Sequence, residues 1–200
     1  GFAKDLENLV GWAAQDHPGQ RMGLIVQSHG QAIDGVNGDN GEASLTEISE
    51  ALSRALKTDG RSKLDLLNFD ACLMGQQEVI HAMRGVADHV VASSEIETGD
   101  GRTMGRVDGQ PTQEILRALL ADPGMDGEQF GTKTIELASR AARPFDRDGD
   151  GVPDPELPIS GTPTLTHYDM REAGPLLEAT DALGKALSDA LKEPGSRRAI

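Results

Sequence analysis

Cysteine is nearly absent from this sequence: Cys72 is the only one in 200 residues. A lone thiol excludes an internal disulfide and a zinc site built from several cysteines. Aromatic residues are scarce at 3%, so the core must rest on Leu, Val, Ile, Ala and Met. No run approaches the roughly 18 consecutive apolar residues of a membrane span, and no membrane partner is expected. Positive charge is short as well: 19 basic residues face 33 acidic ones, a formal net charge of −14. That balance argues against nucleic acid, which needs a basic face. It suits cationic partners or substrates, or simply a solubilising surface. An initiator methionine is missing too, and Gly1 and Phe2 begin no charged-then-apolar leader. The chain therefore reads as a fragment or processed form with upstream sequence lost.

What is present suffices for one compact domain over 1–200, with 37% of residues hydrophobic. Phe2, Leu6, Leu9, Val10 and Ala13 recur at helical spacing, so 2–14 reads as a helix. Met22 to Val26 is a short apolar strand that opens into Gln27, Ser28, His29 and Gly30. Residues 34–41, rich in Gly, Asn and Asp, read as a loop. Ser44 with Glu47 three residues on has the spacing of a capping box, opening a helix to about Lys57. The pattern then repeats: a strand over 64–69, a helix over 76–84 and a strand over 89–94. Strands alternating with helices imply an α/β fold around a mostly parallel sheet. Beyond these, 112–120 and 129–142 read as surface helices, 164–166 as a short strand and 171–192 as a final amphipathic helix.

In a parallel sheet the ligand site lies beyond the carboxyl ends of the strands. Cys72 stands just past one such end and His29 past another. A thiol attacks as thiolate and needs a neighbouring base, for which imidazole is suited near neutrality. Of five histidines, His17 falls in a polar turn, His81 mid-helix, His89 before a strand and His167 far along the chain. Only His29 shares the location of Cys72. Gly30 and Gly75 allow close backbone approach beside the pair. On pattern alone, a buried structural cysteine and a loop histidine remain the alternative.

The string Asn68-Phe69-Asp70-Ala71-Cys72-Leu73-Met74-Gly75 resembles the cysteine motif of the clostripain family of peptidases. Leu24-Ile25-Val26-Gln27-Ser28-His29-Gly30 resembles its histidine motif, and Val90 to Glu95 followed by Thr98-Gly99-Asp100-Gly101 its next block. Leu165 to Met170 is similar to a later segment. The resemblance covers about residues 2 to 121 well and 162 to 192 loosely. It implies a caspase-like three-layer sandwich, a central sheet flanked by helices, with Cys72 as nucleophile and His29 as general base. It also implies cleavage after Arg or Lys, with Asp70 matching the acid of the cation-binding pocket and Asp100 a second substrate-binding candidate. Otherwise, Asp70 caps the following helix and Asp100 is a plain turn residue. No cofactor is expected for the chemistry.

The sequence departs from the family pattern in places. Gln31 and Ala32 follow Gly30 where relatives carry more glycine, and the family's opening strand is absent, which leaves room for a cleaved partner chain or an activator. No Lys or Arg lies between Arg21 and Arg54, so self-cleavage in the loop after His29 is not expected; Arg54, Lys57, Arg61 or Lys63 would have to serve.

A second motif lies within 144–160. Asp146, Asp148, Asp150 and Asp154, with the Val152 carbonyl, occupy positions 1, 3, 5, 9 and 7 of a twelve-residue calcium loop, with Gly151 at the turn. Position 12 is Leu157, and Glu156 falls one residue early. Pro153, Pro155 and Pro158 forbid an exiting helix. The expectation is a structural calcium site of weak affinity; the alternative is an acidic, unliganded turn. The loop and the resemblance together lean toward a secreted protein. The resulting reading is a cysteine endopeptidase acting on protein or peptide substrates. A non-catalytic calcium-binding or adaptor domain that keeps the fold, and a partner-activated bacterial defence protease, stand as alternatives.

Overall fold

The computed structural model describes residues 1–38, 41–97, 111–141 and 164–192, with the backbone alone at positions 59 and 141. Helix α1 (Phe2–Asp16) precedes strand β1 (Gly23–Gln27). A small antiparallel sheet follows, made of β2 (His29–Gly30), β3 (Val36–Gly38) and β4 (Gly41–Ala43). Then come α2 (Leu45–Leu56), β5 (Leu66–Asp70), α3 (Gln77–Met83) and β6 (His89–Ser93). Two helices, α4 (Thr112–Ala121) and α5 (Gly127–Ala141), lead to β7 (Leu165–Asp169) and α6 (Ala173–Ala190).

The main sheet has the order β1-β5-β6-β7. β1, β5 and β6 run parallel, and β7 closes against β6 in the antiparallel sense. Every residue of β5 is buried, as a parallel strand covered on both faces must be. Side chains alternate along it. Leu67 and Phe69 join Val90 and Ala92 under α1, α2 and α3, while Leu66 joins Val91, Ile115 and Phe130 under α4 and α5. Helices on both faces of a mostly parallel sheet make the three-layer α/β sandwich.

One local prediction, the capping box, holds at the level of single bonds. Ser44 Oγ accepts from the Glu47 N–H at 3.3 Å, and the Glu47 carboxylate accepts from the Ser44 N–H at 2.9 Å. This reciprocal box holds the Glu47 carboxyl below its usual range, chiefly through the Ser44 N–H. Elsewhere the structure differs from the sequence reading. The loop expected over 34–41 instead contributes to β3 and β4, which pair antiparallel and whose three residues each are too short to show a period. The strand expected from 64 begins at Leu66, because Leu64 makes only an isolated bridge to Ala87 and Asp65 turns its carboxylate to the Met22 N–H at 2.7 Å. α4 and α5 are not merely surface helices: Ile115 and Phe130 supply the core of the sheet's second face.

Candidate active site

The site starts from strand register. β1 and β5 pair in parallel with Gln27 opposite Asp70, 43 residues apart. The Ser28 N–H continues the ladder to the Asp70 carbonyl at 3.3 Å. His29 and Cys72 are separated by the same offset, two residues past each strand end. Two chains leaving a sheet side by side thus deliver the imidazole-bearing and thiol-bearing segments to one place.

The approach is close. A Cβ built on Gly30 would stand 1.8 Å from the Cys72 carbonyl oxygen, and one on Gly75 would stand 2.8 Å from the backbone of Ser93 and Ser94. Only glycine fits at either position, since real Cβ atoms do not come that near to backbone. His29 itself is exposed and Cys72 half-buried. Of the other histidines, His89 and His167 bond each other at 3.1 Å, and the rest lie on α3 and in the turn after α1.

Cys72 sits in a tight turn over residues 71–75. Leu73 adopts φ +62°, a left-handed conformation that costs a non-glycine residue about 1 kcal/mol or more. Bonds from the neighbouring strand hold it there. The Leu73 N–H donates to the Glu95 carbonyl at 3.0 Å and the Gly75 N–H to the Ser93 carbonyl at 2.6 Å. Gln76 Nε2 donates to the Ser94 carbonyl at 2.9 Å, and Tyr168 Oη to the Gly75 carbonyl at 2.9 Å. The sulfur receives the Glu97 N–H at 3.3 Å, and the Glu97 carbonyl lies 3.7 Å from it.

Asp70 is fully buried and accepts from Gln27 Nε2 at 3.1 Å. It caps no helix, because α3 begins at Gln77 with Gln76 as its N-cap. The strand ends at Asp70, and the chain then enters the turn that carries Cys72. An apolar cavity of about 660 Å³ lies beside β1, lined by Ile25, Gln27, Leu116, Leu119, Met125 and Phe130. Neither His29 nor Cys72 lines it, and only Gln27 links it to the strand ends.

Asp100 lies outside the described residues, as do Asp146, Asp148, Asp150, Val152 and Asp154. Among the described residues no group of three or more His, Cys, Asp or Glu side chains could hold a metal ion, and no helix is long and apolar enough to cross a membrane. Sequence reasoning missed Glu97. It falls between the two recognised strings, after Glu95 and before Thr98, and its contact is made by the backbone, which leaves no mark on residue type.

Solved structures similar to the chain include two from one organism. One is a secreted cysteine protease from Bacteroides thetaiotaomicron in complex with an irreversible peptide inhibitor. It has 22% identity and a TM-score of 0.61, over 89% of this chain and 48% of that one. The other is a secreted cysteine protease from the same organism called iotapain. It has 16% identity and a TM-score of 0.55, over 86% and 45%. The likeness extends the caspase-like architecture to this chain, which spans about half the length of either structure. Among curated proteins none matches. The clostripain family model matches residues 1–131, well over half of the sequence and including both strand ends, and the chain belongs to that family.

Proposed function

We propose that the protein is a cysteine endopeptidase that cleaves after Arg or Lys, with Cys72 as nucleophile and His29 as general base. The observation that carries this reading is the shared register of the two strand ends, with Gly30 seated against the Cys72 carbonyl. Membership of the clostripain family supports it.

In this reading His29 takes the thiol proton, and the sulfur attacks the scissile carbonyl carbon. The tetrahedral intermediate collapses as His29 returns the proton to the leaving amine, leaving a thioester on Cys72. His29 then removes a proton from water, which attacks the thioester and releases the acid product and the thiol. Backbone N–H groups around Cys72 and Gly30 receive the developing oxyanion. Those of Leu73 and Gly75 are not among them, since they already donate to Glu95 and Ser93. Asp70, buried beside the nucleophile's turn, supplies negative charge for the substrate's cation, and Asp100 is the second acid of that subsite. A desolvated carboxylate rewards a cation strongly and rejects an acid.

A secreted setting belongs to the same reading, on the strength of two neighbours described as secreted. The test is a fluorogenic peptide panel with Arg, Lys, Asp or Leu before the scissile bond. Turnover of Arg and Lys peptides is expected; a preference for Asp or Leu contradicts the specificity, and no turnover of any contradicts the activity.

A further inference from the structure

The Cys72 sulfur meets one residue twice. The Glu97 N–H donates to Sγ at 3.3 Å, and the Glu97 carbonyl oxygen stands 3.7 Å from the same atom, within reach of the thiol proton. These two contacts suit opposite protonation states. A carbonyl accepts from a thiol, whereas an N–H donates best to a sulfur that carries charge.

Residue 97 is held there by a chain of bonds. The segment leaving β6 is fastened to the turn leaving β5 by Leu73 N–H to Glu95 and Gly75 N–H to Ser93. Ser93 Oγ receives the Glu95 N–H at 3.2 Å and donates to the Glu95 carbonyl at 3.1 Å, and Thr164 Oγ1 takes the Glu95 N–H at 3.2 Å. Two residues past that knot, the backbone of Glu97 arrives beside the sulfur. Among the described residues the His29 side chain makes no hydrogen bond, so this backbone is what fixes the sulfur here.

We propose that Glu97, acting through its main chain, is the positioning residue for the Cys72 sulfur. Its carbonyl holds the thiol, its N–H holds the thiolate, and the sulfur keeps one place as its proton passes to His29. The S–H bond breaks and an imidazole N–H forms, while the sulfur's partner changes from the Glu97 oxygen to the Glu97 nitrogen. A nucleophile held in place through proton loss needs no reorganisation before attack, where misplacement by an ångström is costly. This proposal rests on the reading of Cys72 as nucleophile.

The test deletes one N–H. The Glu97→Ala protein is compared with the same protein carrying lactic acid at position 97, which replaces only the amide N–H by an ester oxygen. Iodoacetamide labelling of Cys72, read by mass spectrometry, requires no substrate. The ester chain is expected to label about tenfold more slowly at about pH 6 and equally fast near pH 10, above the ordinary range of thiol ionisation. Equal rates at both pH values, or equal slowing at both, would overturn the proposal. Should either chain fail to melt cooperatively, the unaltered protein decides. The Glu97 amide proton resonance must move downfield across the pH range in which labelling accelerates, and a flat response refutes the assignment. The underlying reading fails separately, if Cys72→Ala still hydrolyses peptide.

Discussion

Gln27 and Asp70 are register partners across β1 and β5, and the Gln27 side-chain amide donates to the Asp70 carboxylate at 3.1 Å. The bond ties together the ends of the two strands that carry His29 and Cys72. It also orients a fully buried acid through a donor that carries no charge of its own. In the proposed reading the charge of that carboxylate serves the substrate's cation.

Asp70→Asn keeps the shape and the Gln27 contact but removes that charge. It should lower kcat/KM for Arg peptides by about a hundredfold or more, as expected for a desolvated charge pair, and leave slow cleavage of neutral peptides little changed. Asp100→Asn should act in the same direction more weakly. An equal loss for Arg and neutral peptides would mean that Asp70 supports the turn and not the specificity.

The His89–His167 bond sets an acid limit on stability. A bond between two imidazole nitrogens at 3.1 Å needs one of them unprotonated. Burial, and then the charge of His89, push the His167 ring below its ordinary 6.5, while Glu128 on α5 and Asp169 on β7 pull it back up. Asp169 is itself engaged by Arg171, whose side-chain and backbone bonds hold that carboxyl far below its usual range. For a base whose folded value is depressed, the unfolded chain binds the extra proton first. Stability is therefore full above about pH 6.5 and falls as pH drops from there toward the lowered folded value. Melting temperatures of the wild type should decline across that window, and those of His167→Gln should decline less. Parallel curves would assign the acid loss to other groups.

Much of this was legible in the sequence, for physical reasons that differ by element. Ser44 and Glu47 announce a helix start because the two side chains bond each other's backbone at fixed spacing. The strands before His29 and Cys72 show because 22–26 and 64–69 are short, largely apolar stretches that stop at a polar residue. The β2–β4 arm was hidden, since strands of two or three residues carry no period. Its Gly35, Gly38 and Gly41 read as loop although they are turn and edge positions of a hairpin. The sheet-covering role of α4 and α5 was hidden because it depends on Ile115 and Phe130 meeting Leu66 and Val91, partners far away in sequence. Glu97 was hidden because its contribution is a peptide N–H.

The calcium loop is a claim about residues 146–154 that rests on sequence spacing alone. Four carboxylates in nine positions repel one another, and a divalent cation relieves that cost. With no acid at Leu157, the affinity should fall at about 10⁻⁵ to 10⁻³ M. Calcium should raise the melting temperature against chelator, and Asp148→Asn should remove most of the rise. Absence of both heat and melting shift at millimolar calcium would take the metal out of the account.

The central claim is that Cys72 performs the attack and His29 moves the proton. Its most direct measurement is the steady-state hydrolysis of an Arg fluorogenic peptide by the intact protein and its Cys72→Ala, His29→Ala and doubly substituted forms, each checked for an unchanged melt. Residues that act as a unit lose together, so each single variant should fall by about three orders of magnitude or more, with the double variant little worse. Undiminished hydrolysis by Cys72→Ala would contradict the account outright.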